Sequence, residues 1–371
     1  MQQALVFAPA ELLSINEITP LFGRYFMESD VYNIVPPSAA QRDPATYAPL
    51  GQLLPESSPL PEGYGGLLGR VEGESIRFMV GEKPYDAKFY CLENDLFSRN
   101  TGILETTKLL DRHAMIVGCG SVGSLFALEL ARSGVGRFTL IDHDIVEYHN
   151  LALHQCSMMD VGDYKVNALS RRILEINPAA RIVCHKGAME TLPEDAFFSV
   201  GKEDTLVVGC ADNRAADVYA NGIATMHGTP FLSIGCWQRA FAGAVFYWLP
   251  GMPCYHCALG DGGGLDQRTE VSRRFYTDAD PETIGRFEPG IAADIDFITI
   301  IGVKLALDLL CRNMEGYVPR LLDSFRQYTL IANTEKPEIG GEMAEIFSYP
   351  LQVTTSLSTS FRGGCPPCSY A

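Results

Sequence analysis

The spacing of apolar and polar positions changes near residue 96. Beyond it, short apolar runs alternate with stretches of helical period. The pattern predicts a helix at about 101–111, a strand at 114–118, a helix at 122–133, a strand at 137–141 and a helix at 164–176. Strands at 181–184 and 204–209, a helix at 213–227 and a strand at 230–233 follow. Such alternation predicts an α/β fold with a mainly parallel sheet covered on both faces. Val245–Leu249 reads as a further strand in an antiparallel extension, and a helix at 291–313 with two or three C-terminal strands completes the domain. Gly260–Gly290 is polar and rich in glycine, and reads as a mobile loop crossing the active face.

Residues 1–95 follow a different pattern. Pro36, Pro37, Pro44, Pro49, Pro55, Pro59 and Pro61 crowd one segment, and Gly63, Gly65 and Gly66 follow. The expectation is a small, irregular N-terminal module with a few strands, such as Ser75–Val80, in an accessory or recognition role. The division is therefore 1–95 and 96–371, with 351–371 as a C-terminal tail. A chain of 371 residues suits one large and one small domain.

Composition narrows the function. A formal charge of −16 argues against a nucleic-acid partner, which needs a basic footprint. The apolar run Ile295–Cys311 carries Asp296, Lys304 and Asp308, so it reads as a buried or amphipathic helix and not a membrane span. The first residues lack a basic region and carry Glu11 within their apolar stretch, so no signal peptide is read. Eleven cysteines without such a signal point to a reducing cytoplasm and to metal or thiol chemistry.

The chemistry centres on Gly118-Cys119-Gly120-Ser121-Val122-Gly123, set between a predicted strand and a predicted helix. This is a Rossmann-like phosphate loop: glycines allow close backbone approach, and the helix N-terminus attracts an anion. Gly118, Gly120, Ser121 and Gly123 are the cofactor-binding candidates there, and Asp142, about twenty residues on, is placed for ribose hydroxyls. Alone, the loop suits nicotinamide, flavin or ATP. Asp144 doubles Asp142, Lys165 opens the next helix, and Asp212 follows the strand ending at Gly209. A lysine and an acid facing one glycine loop suit a triphosphate with Mg²⁺, which a nicotinamide enzyme does not need. Taken singly, Lys165 reads as a solvated helix-start lysine and Asp212 as a helix cap.

Cysteine spacing gives a second signal. Cys254-x-x-Cys257 and Cys365-x-x-Cys368 form two knuckles that match a structural Cys₄ zinc site tying the tail to the core. His256 lies inside the first knuckle and is not read as a ligand.

The segments FSRNTGIL (97–104), IVGCGSVGS (116–124), LIDHD (140–144), Asn150-Leu151, VGDYK (161–165), GCADN (209–213) and PCYHC (253–257) together resemble the ThiF/MoeB superfamily of ATP-dependent adenylyltransferases. The resemblance implies an adenylation domain over 96–371. Asp142 then binds ribose, Asn150 and Lys165 contact phosphates, Asp212 holds Mg²⁺ and Arg99 reaches phosphate, in many relatives from the other subunit of a homodimer. It further implies ATP-dependent activation of the C-terminal carboxylate of a ubiquitin-like or sulfur-carrier protein, with transfer to a thiol acceptor such as a conjugating enzyme. A peptide-modifying enzyme of the microcin-activating type and a catalytically weak scaffold are the alternatives.

Two departures stand out. The family commonly carries an arginine three residues after the Asn, where this chain has Leu153. That phosphate contact is missing or comes from His154, Gln155 or Arg171. The span 258–293 contains no cysteine for a thioester, which leaves Cys236, or Cys156, as the candidate nucleophile.

Overall fold

The computed structural model describes residues 4–42, 47–192, 204–212, 214–259 and 290–370. The chain divides into two compact units, Met1–Arg99 and Asn100–Ala371.

In the first unit, β1 (Leu5–Pro9), β2 (Thr19–Phe26), β3 (Val31–Ile34), β4 (Ala48–Leu54), β5 (Leu67–Glu72), β6 (Ser75–Val80) and β7 (Lys83–Tyr90) form a closed barrel in the order β1-β3-β2-β4-β5-β6-β7. Closure comes from parallel pairing of β7 with β1, running from Leu5 opposite Asp86 to Pro9 opposite Tyr90. Val6, Leu21, Ile34, Leu53, Ile76 and Phe78 fill the interior. This corrects the expectation of an irregular module. Most of the prolines sit in connections, such as Pro55, Pro59 and Pro61 between β4 and β5, so the strands keep their inward alternation. Closure also removes the sheet edges that an open module of this size would leave.

In the second unit, β8 (His113–Val117), β9 (Arg137–Ile141), β10 (Arg181–His185), β11 (Thr205–Gly209), β12 (Phe231–Cys236), β13 (Ala242–Trp248), β14 (Tyr328–Ala332) and β15 (Val353–Leu357) make one sheet. Its order is β10-β9-β8-β11-β12-β13-β14-β15. The first five strands in that order are mutually parallel and the last three pair antiparallel. The strand expected near 245–249 is β13, on the antiparallel side. The helix expected at 101–111 shrinks to Thr106–Leu109, because Gly102 at φ 83° turns the chain just before it. Most of the loop expected at 260–290 lies outside the described residues.

Four helices cover the sheet: α1 (Ser121–Arg132), α2 (Lys165–Ile176), α3 (Arg214–His227) and α4 (Ala292–Cys311). Ala127, Leu130 and Ala131 of α1 and Ile298 and Leu309 of α4 are fully buried, and α1 packs against both α2 and α4. The apolar sequence of α4 thus reflects burial on two sides. Among the described residues no helix is long and apolar enough to cross a membrane.

Asp308 of α4 is fully buried and accepts hydrogen bonds from the Tyr317 hydroxyl at 2.6 Å and from the backbone N–H groups of Arg320 at 2.9 Å, Leu321 at 2.6 Å and Leu322 at 3.0 Å. One carboxylate therefore organises the whole connection between α4 and β14. Asp308→Ala leaves those donors buried and unpaired, and the expected loss is about 3 kcal/mol of unfolding free energy, read from urea denaturation.

His113 lies at the amino end of β8, where Nε2 contacts Thr139 Oγ1 at 2.9 Å and Nδ1 contacts Thr205 Oγ1 at 3.2 Å. Burial, helped by the Arg137 charge, pushes its pKa down to about 4. The unfolded chain therefore binds one more proton than the folded one between the ordinary histidine value near 6.5 and about 4. This contribution to stability is intact above about pH 6.5 and is lost as pH falls towards 4, at about 1.4 kcal/mol per pH unit. The expected result is that His113→Gln removes one proton's worth of that slope when urea midpoints are compared between pH 7.5 and 5.

Candidate functional site

The strand order places the site. From β8 the chain crosses to β9 on one side, whereas from β11 it crosses to β12 on the other. The carboxyl ends of β8 and β11 therefore border a crevice that neither crossover fills, the usual ligand position in such sheets. The segments leaving β8, β9, β11 and β12, namely Gly118–Gly123, Asp142–Asp144, Cys210–Asp212 and Cys236, all lie along this edge.

Two glycines make the loop possible. Gly118 has φ 92°, and a Cβ there meets Ala211 N and the Cys210 carbonyl at 2.9 Å. At Gly123 a Cβ falls 1.9 Å from the Gly118 carbonyl oxygen, so the first turn of α1 lies directly on the loop. Gly120 caps α1 and Ser121 is its first residue. Asp142 clasps the loop from β9: Oδ2 accepts the Cys119 N–H at 2.7 Å, and Oδ1 accepts the Asp144 N–H at 2.8 Å. The acid read from the sequence as a ribose ligand thus also holds the glycine turn in shape.

A short bridge between Ile145 and Tyr164, with the Lys165 N–H donating to the Asp144 carbonyl at 3.0 Å, brings the start of α2 against the residues after β9. Lys165 Nζ then pairs with Asp144 Oδ2 at 2.7 Å, the lysine largely covered and the aspartate half exposed. Burial raises the Asp144 carboxyl, but the Lys165 hydrogen bond and charge outweigh it and leave it below its ordinary value. Asn150 is buried and caps its own 3-10 turn, Tyr148–Ala152: its Oδ1 accepts the Glu147 N–H at 2.8 Å.

Asp212 is exposed just beyond β11, at the same edge as the loop. Cys236 ends β12 on this edge and is partly buried. Arg99 is exposed on the turn Ser98–Asn100, at the end of the first unit. Arg171 is committed elsewhere, to Asp163 at 2.6 Å and Asp160 at 2.9 Å. Sequence reasoning missed one grouping. Asp142, His143 and Asp144 offer ligand atoms within 4.8 Å of one another, an oxygen-rich group that suits a hard cation. The Asp-His-Asp triplet was its signal.

Away from the crevice, Cys254, Cys257, Cys365 and Cys368 converge with all four sulfurs within 4.8 Å. Cys254 Sγ lies 3.4 Å from Cys365 Sγ, and Cys257 Sγ lies 3.6 Å from Cys368 Sγ. Sulfurs at about 2.3 Å from a tetrahedral metal stand roughly 3.8 Å apart, so the thiols fit one ion with little movement. His256 Nδ1 is 3.6 Å from Cys365 Sγ, in the place of a group that supports a ligand. Turn formation explains the cluster: Tyr255–Leu259 is a helical turn pinned by Asn221 of α3, whose Oδ1 accepts the Tyr255 N–H at 2.8 Å.

Comparison with known proteins agrees with this architecture. The chain is 30% identical over 228 residues to ubiquitin-like modifier-activating enzyme 5 of Drosophila virilis, covering 58% of this chain and 55% of that protein. It is 31% identical over 156 residues to the sulfur carrier protein ThiS adenylyltransferase of Bacillus subtilis, covering 41% of this chain and 45% of the relative. The chain thus spans about half the length of the curated relatives it matches. Among solved structures, MccB of E. coli with ATP superposes with a TM-score of 0.52 at 19% identity, covering 78% of this chain and 76% of that one. MccB with MccA-N7isoASN gives a TM-score of 0.52 at 20% identity, covering 74% and 75%. The family model for the ThiF family matches residues 93–338, and the chain belongs to the ThiF family.

Proposed function

We propose that the chain is an ATP-dependent adenylyltransferase that activates the C-terminal carboxylate of a ubiquitin-like or sulfur-carrier protein. The observation that carries this reading is the gathering of the Gly118–Gly123 loop, Asp142, the Lys165–Asp144 pair and Asp212 at one sheet edge. The substrate carboxylate attacks the α-phosphorus of ATP, forming an acyl–phosphate bond and releasing pyrophosphate. Backbone N–H groups at the start of α1 and the Lys165 ammonium hold the phosphates, and Asp142 takes the ribose. Lys165 exchanges its bond to Asp144 for phosphate when nucleotide arrives. Asp212 would hold Mg²⁺, which when bound would neutralise phosphate charge. Arg99 is the arginine directed at the transferring group, within a homodimer. A thiolate, on Cys236 or on a conjugating enzyme, then attacks the acyl carbon, forming a thioester as the acyl–phosphate bond breaks and AMP leaves.

ATP–pyrophosphate exchange, driven by a small protein ending in glycine, tests this directly. The expected outcome is a loss of about 100-fold in Lys165→Ala and Asp212→Ala. Exchange that survives both changes refutes the site. The absence of cysteine from 258–293 favours a second reading, in which the acyl acceptor is an amine and the substrate a short peptide. Exchange stimulated only by a peptide, with no thioester trapped on the protein, selects that reading.

The four cysteines are proposed to hold a structural zinc, closed to substrate because all four positions are filled by protein. The expected outcome for Cys365→Ser is loss of about one zinc equivalent per chain by elemental analysis, with early proteolysis of the C-terminal tail. Full zinc content in that variant sinks the assignment.

A further inference from the structure

The chain lacks an arginine at 153, and the structure shows where the substitute lies. Leu153 packs against the main apolar cluster of the second unit, so that position is turned into the core. The next residue is turned the other way. The His154 N–H donates to the Asn150 carbonyl at 2.8 Å, which closes the turn. Its ring atoms Nε2 and Cε1 stand 3.8 Å and 3.9 Å from where a Cβ on Gly120 would be, nearer than any other non-neighbouring group. The imidazole therefore sits over the glycine that caps α1, where an anion bound at that helix start must pass.

His113 and His154 differ in their partners. His113 has both ring nitrogens engaged by threonine hydroxyls. For His154, which is partly exposed, no hydrogen bond to the described residues engages either nitrogen. Among the described residues, the His154 ring nitrogens are thus left to solvent or to a ligand beside the glycine loop.

We propose that His154 is a phosphate-binding residue, its imidazole donating to the nucleotide's phosphates at Gly120 in place of the arginine that Leu153 replaces. This rests on the adenylation reading of the same crevice. The charged groups acting on the ring are Lys165 at the start of α2, Asp144 after β9 and His149 on its own turn. In the free protein, burial and then the Lys165 charge push the ring's pKa down to about 4, so it is neutral. Phosphate oxygens favour the charged form, and Lys165 moving onto phosphate frees Asp144 to favour it as well. Nucleotide binding then draws a proton onto the ring, and affinity falls as pH rises through the bound-state pKa.

Calorimetric titration of the full chain with MgATP and with adenosine, at pH 6 and pH 8 in buffers of different ionisation enthalpy, tests the inference. The wild type is expected to take up a fraction of a proton with MgATP at pH 6. His154→Ala and His154→Gln are expected to lose that uptake and to bind MgATP about tenfold more weakly, with adenosine binding unchanged. His154→Arg restores MgATP affinity and makes it independent of pH. MgATP binding within twofold of wild type in both His154→Ala and His154→Gln, with proton uptake retained, overturns the inference while leaving the adenylation reading in place. A wild type that binds no MgATP overturns the adenylation reading and the role of His154 with it.

Discussion

The contact between Gly123 and the Gly118 carbonyl is the constraint on which the second unit depends. A Cβ at 1.9 Å from that oxygen has no room, so the start of α1 can lie on the loop only with glycine at 123. That contact fixes where α1 enters the core, and α1 is the buried helix around which α2 and α4 pack. It also aims the first N–H groups of α1 into the crevice between β8 and β11. Fold and anion site therefore share one piece of backbone geometry.

Electrostatics at the crevice follow from the same placement. An unpaired lysine held largely away from water is costly, and Asp144 meets that cost at 2.7 Å. The pair is exposed on the acid's side, so solvent screens it and the bond is weak. Asp142 differs, since both its oxygens already accept backbone N–H groups.

The antiparallel half of the sheet has its own ties. Asp308 gathers the connection leading into β14 through four hydrogen-bond donors, and the cysteine cluster brings Cys365 and Cys368 against the turn that follows β13. Both devices act on long connections, where closing a loop costs entropy that local structure does not return.

What could be read from the chain alone was local. The order of strands and helices, the glycine loop, Asp142 and the paired cysteine knuckles were legible because period and spacing are properties of neighbouring residues. Leu153 was visible as a departure, yet three residues competed to compensate for it. The structure distinguishes two of them, since Arg171 is tied to Asp160 and Asp163 whereas the His154 ring lies over Gly120. Barrel closure by β7 on β1, the reversal of strand order at β8 and the Lys165–Asp144 pair were decided only by the tertiary structure. Each joins residues distant in sequence whose pairing depends on total burial and on which edges remain open, and no local periodicity encodes that.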